Sequence, residues 1–77
     1  MELRHLRYFA AVAEHASIRA ASETLHISQP AITRQIQDLE GELGFALFAR
    51  SPRGLRLTPA GDSYLRDVHA ILAALDA

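Results

Sequence analysis

Hydrophobic positions recur along this chain first at a helical period, then briefly at a strand-like one, then at a helical period again. From Leu3 to Glu14, the residues Leu3, Leu6, Phe9, Ala10 and Ala13 fall on one side of a helix. His15, Ala16 and Ser17 interrupt that pattern, and Ser17 stands where an N-cap opens a second, short helix. That helix is expected to run to about Leu25, with Ile18, Ala21 and Leu25 on one face and small residues (Ala20, Ala21, Ser22) that allow close approach by a neighbour. His26 and Ile27 leave room only for a tight connection. Ser28 then caps a third helix whose first turn is Gln29, Pro30 and Ala31; proline is tolerated there because those N–H groups have no intrahelical acceptor. Ile27 and Ile32 form a hydrophobic staple across the cap. Ile32, Ile36, Leu39 and Leu43 make the buried stripe, and Gly44 is a natural stop. Two helices joined by a short turn, the second strongly capped, give the helix-turn-helix pattern.

Beyond Gly44 the period shortens. The stretches "FALFA" and "LRLT" are short and apolar, Leu55 and Leu57 alternate around Arg56, and "RSPRG" lies between them. Pro52 and Gly54 suit the second and fourth positions of a type I turn, which puts Arg53 near the tip of a two-stranded hairpin. Thr58 and Pro59 open a fourth helix as N-cap and first residue. Along it Leu65, Val68, Leu72 and Leu75 follow a heptad-like spacing, flanked by Tyr64 and Ile71, and read as a dimerisation seam. Tyr64 and Leu65 are also within reach of the first helix, so part of the seam is expected to pack on its own chain. The helix reaches Ala77 without a stop signal and reads as part of something longer. The expected fold is mainly α: a winged helix-turn-helix with a three-helix core and a two-stranded β-hairpin wing over residues 1–58, then a long linker or dimerisation helix over 59–77.

Composition narrows this picture. With 77 residues there is one small domain with a thin core, the kind that gains stability from a partner. No cysteine is present, which excludes disulfides and thiolate metal sites, and the four histidines show no metal-ligand spacing. All four are expected to be surface or half-buried residues. The start "MELRHLRYF" has no long apolar stretch of the signal-peptide kind, so the expected address is the cytoplasm, without a membrane. Net charge is −1, but its distribution matters more than its sum. All eight basic residues are arginine, and Arg50, Arg53 and Arg56 lie in a stretch without any acid.

The third helix carries the candidate chemistry. At about 100° per residue, Pro30, Arg34 and Gln37 line the face opposite the apolar stripe, Thr33 flanks it, and Gln29 points out of the helix end. Arginine can bond guanine O6 and N7 through two N–H groups, and glutamine can do the same for adenine N6 and N7. A helix N-terminus favours a nearby phosphate. An arginine at a hairpin tip beside such a helix is placed for a neighbouring minor groove; Arg50 or Arg56 suits a phosphate contact and equally a solvated strand position. Taken as ordinary solvent-facing residues, Arg34 and the glutamines would need no partner at all. The wing arginine next to them favours a DNA-reading surface.

With these residues in view, "SQPAITRQIQDLE", the spaced Leu43, Gly44, Leu47, Phe48 and Arg50, and "LTPAG" (Leu57 to Gly61) closely resemble the N-terminal domain of LysR-type transcriptional regulators, and the resemblance covers essentially the whole chain. It implies a bacterial regulator whose linker helices pair two chains, with tetramers common in the full-length protein. It also implies a C-terminal domain, absent here, that takes a small-molecule effector; no cofactor is expected in this part. The family's contacts, carried over, place helix 29–41 in the major groove through Gln29, Pro30, Ala31, Thr33 and Arg34, with Arg53 in the minor groove of a partly two-fold symmetric operator. Ser28 and Thr58 become phosphate neighbours. Ala20 stands where many members carry a basic residue, Ser22 where they carry alanine, and Gly41 where glutamate is usual.

Two other functional classes fit this chain poorly. An enzyme would need a nucleophile with a base or a metal-ligand set, and Ser28 near His26 is a cap beside a turn. A protein-binding winged helix would carry apolar or acidic residues on the third helix and no arginine at the wing tip; this chain has the reverse.

Overall fold

Three of the four helices open on a hydroxyl side chain that occupies an N–H group of the first turn. The computed structural model describes residues 1–77. Ser17 Oγ accepts from the Ala20 N–H at 3.1 Å and starts α2 (Ile18–Leu25). Ser28 Oγ accepts from Ala31 at 3.2 Å and starts α3 (Gln29–Leu43). Thr58 Oγ1 accepts from Gly61 at 2.9 Å and starts α4 (Pro59–Leu75). Each such cap stabilises its helix by about 1 kcal/mol. The first helix, α1 (Leu3–His15), opens differently: His5 Nδ1 accepts from the Glu2 N–H at 3.0 Å. His5 is buried, 6% exposed, which corrects the expectation that all four histidines are surface or half-buried. Its ring is buried with Leu6, Phe9 and Val12 of the same helix and takes up a free N–H at the helix start.

The helices turn sharply into one another. Ala16 (φ 53°) ends α1 and His26 (φ 58°) ends α2, both in the left-handed region that costs a non-glycine residue about 1–2 kcal/mol. Single-residue reversals of this kind let α1, α2 and α3 stack without long loops. Gly44 ends α3 at φ 81°, where the missing Cβ removes that cost.

The core is drawn from every element except the hairpin: Leu6, Phe9 and Val12 of α1, Ala21 of α2, Ile32, Ile36 and Leu39 of α3, Leu47, and Val68 of α4. The buried stripe of α1 is therefore rotated from the one its spacing suggests. Leu3 is exposed, and Val12 rather than Ala13 is fully buried. Alanines weigh little in burial; α1 turns so that Phe9 and Val12 point between its neighbours on both sides.

The hairpin pairs β1 (Phe48–Ser51) with β2 (Gly54–Leu57), antiparallel, with Phe48 opposite Leu57 and Arg50 opposite Leu55. Of the stretch "FALFA", only Phe48 and Ala49 join the strand. Leu47 is drawn into the core instead, and its carbonyl accepts the Thr58 N–H at 3.0 Å. Phe9 sits between Phe48 (ring centroids 5.5 Å apart) and Tyr64 (5.7 Å), so one aromatic side chain joins α1, the hairpin and α4. Burial pushes the Tyr64 hydroxyl above its ordinary value, assisted by the negative charges of Asp67 and Glu42.

Helix α4 is not a free rod. Val68 is fully buried in this chain's own core, and Tyr64, Leu65 and Leu72 pack half-buried against it. The seam of Leu65, Val68, Leu72 and Leu75 is thus divided, because α1 lies along α4 and takes its inner side. Outside remain Ile71, 45% exposed, and Leu75, 56% exposed. No helix is long and apolar enough to cross a membrane.

Candidate nucleic-acid interface

The side of α3 that faces the hairpin carries Gln29, Thr33, Gln37 and Glu40, at helical spacing. Arg50 points to the same space, because it shares a face of the hairpin with Leu55, which packs against the core. Between α3 and the hairpin lies an open cleft of about 530 Å3, lined by Ser17, Gln29, Thr33, Arg50, Ser51 and Arg53 among others. A smaller hollow of about 140 Å3 continues toward the hairpin root past Gln37, Glu40 and Phe48. Arg56, opposite Ala49, shares the other face of the hairpin and lines neither space.

The hairpin tip is held by its own side chain. Ser51 Oγ donates to the Gly54 carbonyl at 3.0 Å and accepts from the Arg53 N–H at 3.3 Å. The Arg53 guanidinium extends from this fixed turn without a salt-bridge partner. On the outer crest of α3, Pro30 and Arg34 are exposed; Arg34 rests on Asp38 at 3.5 Å, an exposed i,i+4 pair of small worth that is readily exchanged for another acceptor. Ala31 is half-buried.

The two capping residues differ. Ser28 Oγ is exposed and uses one acceptor position on Ala31, leaving its proton free. Thr58 Oγ1 accepts from Gly61 and donates to the Ala46 carbonyl at 2.7 Å, so its hydroxyl is committed within the chain at the hairpin root, away from the Arg53 tip. The structure thus brings Gln29, Thr33, Arg50 and Arg53 around one cleft, places Gln37 in the smaller hollow that continues from it, sets Pro30 and Arg34 beside it, and leaves Thr58 behind it. Two contributors were not legible as such. Ser17 reads as a cap, yet it lines the cleft because the start of α2 lies beside the hairpin tip. Glu40 reads as an ordinary helix acid, yet its Oε2 accepts the N–H groups of Leu47 (2.6 Å) and Phe48 (3.4 Å); its spacing of three from Gln37 was the available signal. No group of three or more His, Asp or Glu side chains is placed to hold a metal ion.

The family model for bacterial regulatory helix-turn-helix proteins of the lysR family matches residues 3–62. The chain belongs to the LysR family. It is 58% identical over 72 residues to the HTH-type transcriptional regulator ClcR of Pseudomonas putida, covering 94% of this chain and 24% of ClcR. It spans about a quarter of the length of that curated relative. The crystal structure of the CbnR DNA-binding domain in complex with DNA superposes with a TM-score of 0.92 at 51% identity, over 99% of this chain and 87% of that one. The BenM DNA-binding domain in complex with benA site 1 DNA gives a TM-score of 0.94 at 46% identity, over 99% and 85%. Four helices with a two-stranded hairpin are the winged helix-turn-helix form of these LysR domains. The LysR relatives are named as transcriptional regulators, not enzymes.

Proposed function

We propose that this chain is the DNA-reading head of a LysR-type transcriptional regulator and binds double-stranded DNA sequence-specifically. The observation that carries the reading is the cleft that sets the polar side of α3 against a wing tipped by Arg53. The start of α3 enters the major groove, where Gln29, Ala31, Thr33 and Arg34 face base edges and Pro30 packs on a base or sugar. Gln37 follows one turn later. Between the two grooves runs a sugar–phosphate strand, which passes through the cleft within reach of Arg50, Ser17 and Ser28. Arg53 reaches the adjacent minor groove, preferring narrow A·T-rich stretches. Thr58, with its hydroxyl engaged, serves as the cap that orients α4.

Residues 1–58 form the reading head, and 59–77 begin a linker helix whose first turns are part of the head's core through Val68. Two copies pair through the exposed outer side of that helix, Leu75 and Ile71 with Leu72 and Leu65 at its margin, and read a partly two-fold symmetric operator. The full-length regulator is a cytoplasmic tetramer with a C-terminal domain that takes a small-molecule effector.

The test is the salt dependence of binding to a mixed-sequence duplex. Affinity should fall linearly on a log–log plot, with Arg50→Ala reducing the slope by about one. An unchanged slope would remove Arg50 from the phosphate contacts, and no salt dependence would contradict DNA binding.

A further inference from the structure

Beside the apolar packing of Phe48 and Leu55 on the core, the wing is hydrogen-bonded to α3 at its root by one side chain. Glu40 sits on the cleft side of the helix, below Thr33 and Gln37, and its Oε2 takes the backbone N–H groups of Leu47 at 2.6 Å and Phe48 at 3.4 Å. These are the residues where the chain passes from the corner after α3 into β1. Without Glu40, the Leu47 N–H would lie at the margin of the core with no acceptor within the chain, since Leu47 is fully buried. A carboxylate accepting backbone N–H groups makes a short, charge-assisted bond. It is carried by the same rigid helix as Gln29, Thr33 and Arg34.

We propose that Glu40 is a positioning residue for DNA reading, fixing the elevation of the wing over the recognition helix so that Arg53 meets the minor groove while α3 occupies the major groove. This role rests on the DNA-reading proposal above. The lever is long. Arg53 lies roughly 15 Å beyond the wing root at about 3.3 Å per strand residue, so a tilt of about 10° there moves the tip by about 2.5 Å. A recognition group has to be held within about 0.5 Å of its productive place. The other hydrogen bonds of the root, from Thr58 to the Ala46 and Leu47 carbonyls, lead to α4 and not to α3, while Phe48 and Leu55 pack on the core through apolar contacts alone. Glu40 alone registers the wing against the reading side chains through a side-chain hydrogen bond. The charge pattern agrees with this role: an acid close to a DNA-facing cleft repels phosphate, and Glu40 holds its place there through the backbone it ties.

Glu40→Met keeps the length and removes both acceptor oxygens, whereas glutamine would leave an amide oxygen able to take both N–H groups. Affinity for a duplex with A·T-rich flanks is measured by anisotropy in three chains: wild type, Arg53→Ala and Arg34→Ala, each with and without Glu40→Met. The change in charge is the same in every background, so its effect on phosphate attraction cancels in the comparison. The expected result is a loss of about tenfold with Arg53 present, disappearance of the preference for A·T-rich over G·C-rich flanks, and less than twofold loss when Arg53 is already alanine. The loss should persist in full in the Arg34→Ala background. An equal loss in all backgrounds would make Glu40 a support of the whole fold and overturn the positioning role while leaving the wing reading intact. No loss with Arg53 present would overturn it directly. If Arg53→Ala alone changes nothing, the wing reading falls and the Glu40 role with it, whereas a continued effect of Arg34→Ala preserves the major-groove reading. Glu40→Asp provides a second variant that retains the charge and withdraws the acceptor by one methylene. It should reproduce the loss of flank preference, and an aspartate chain that reads like the wild type would overturn the proposal.

Discussion

Gly61 brings the first turn of α4 directly against the backbone of Leu47. A Cβ at this position would lie 2.9 Å from the Leu47 carbonyl carbon and closer still to its oxygen, and Gly61 is fully enclosed. The glycine of "LTPAG" is thus required by contact, not by turn geometry. Because the obstacle is backbone, it cannot rotate away. Gly61→Ala should destabilise the fold by about 1–3 kcal/mol through overpacking. Urea unfolding followed by circular dichroism would show it as a lower midpoint at unchanged slope; an unchanged midpoint would mean that α4 shifts freely on the wing root.

Arg34 stands on the crest of α3 with only Asp38 as an exposed partner. Arg34→Ala should leave stability within about 0.5 kcal/mol, as surface substitutions do. Binding should weaken by about 1–3 kcal/mol, with relaxed preference at one base pair in each half-site. Titration of single-base variants of a bound duplex checks this. Equal losses on every sequence would reassign Arg34 to a phosphate.

The outer side of α4 offers a cleaner test of pairing than its inner side. Leu72 is half-buried against its own chain, so a charge there would disturb both the fold and any interface. Leu75 is 56% exposed, and Leu75→Glu should leave the single chain folded. Sedimentation should shift from dimer to monomer. A dimer that survives would place the contact elsewhere.

Acid should loosen the end of α4 before the rest. The Arg7 guanidinium donates to both carboxylate oxygens of Asp76, at 3.0 and 3.2 Å, joining α1 to the residue after α4. Hydrogen bonding to Arg7 holds the Asp76 carboxyl below its ordinary value, and the same bond with Asp76 raises Arg7. With the folded value depressed, the pair's contribution is fully present above the ordinary carboxylate range of about 3.9. It is lost as pH falls through the lowered Asp76 value. Protection of the Ala73 to Ala77 amides against hydrogen exchange, taken relative to the intrinsic rate at each pH, should fall below about pH 4, and Asp76→Asn should abolish that dependence. A profile unchanged by the substitution would assign it to other carboxylates.

What was legible in the sequence follows from how local each feature is. Ser17, Ser28 and Thr58 cap within three residues, so the three helix starts could be read directly. Pro52, Arg53 and Gly54 likewise carry their turn in themselves. The burial of α1 differs from its sequence pattern because Val12 and His5 are decided by which helices lean on α1, and alanine spacing says nothing of that. The cleft shows the same division. Gln29, Thr33 and Gln37 follow from helical period, whereas their approach to Arg50 and Arg53 depends on contacts many residues apart. Composition does not separate Glu40 from Glu42; helical spacing puts Glu40 on the side of Gln37, and its role is decided by partners seven and eight residues on. Val68 shows the limit of heptad spacing, since one period describes both a seam toward a partner and a stripe toward the chain's own core.

The central claim is that this surface reads DNA sequence. The most direct measurement is selection of the chain against a randomised duplex pool at low salt, with sequencing of the bound fraction. The expected result is enrichment of a two-fold symmetric motif, whose half-sites report α3 and whose A·T-rich flanks report Arg53. Retention of duplex without any enriched sequence, or no retention at all, would contradict it.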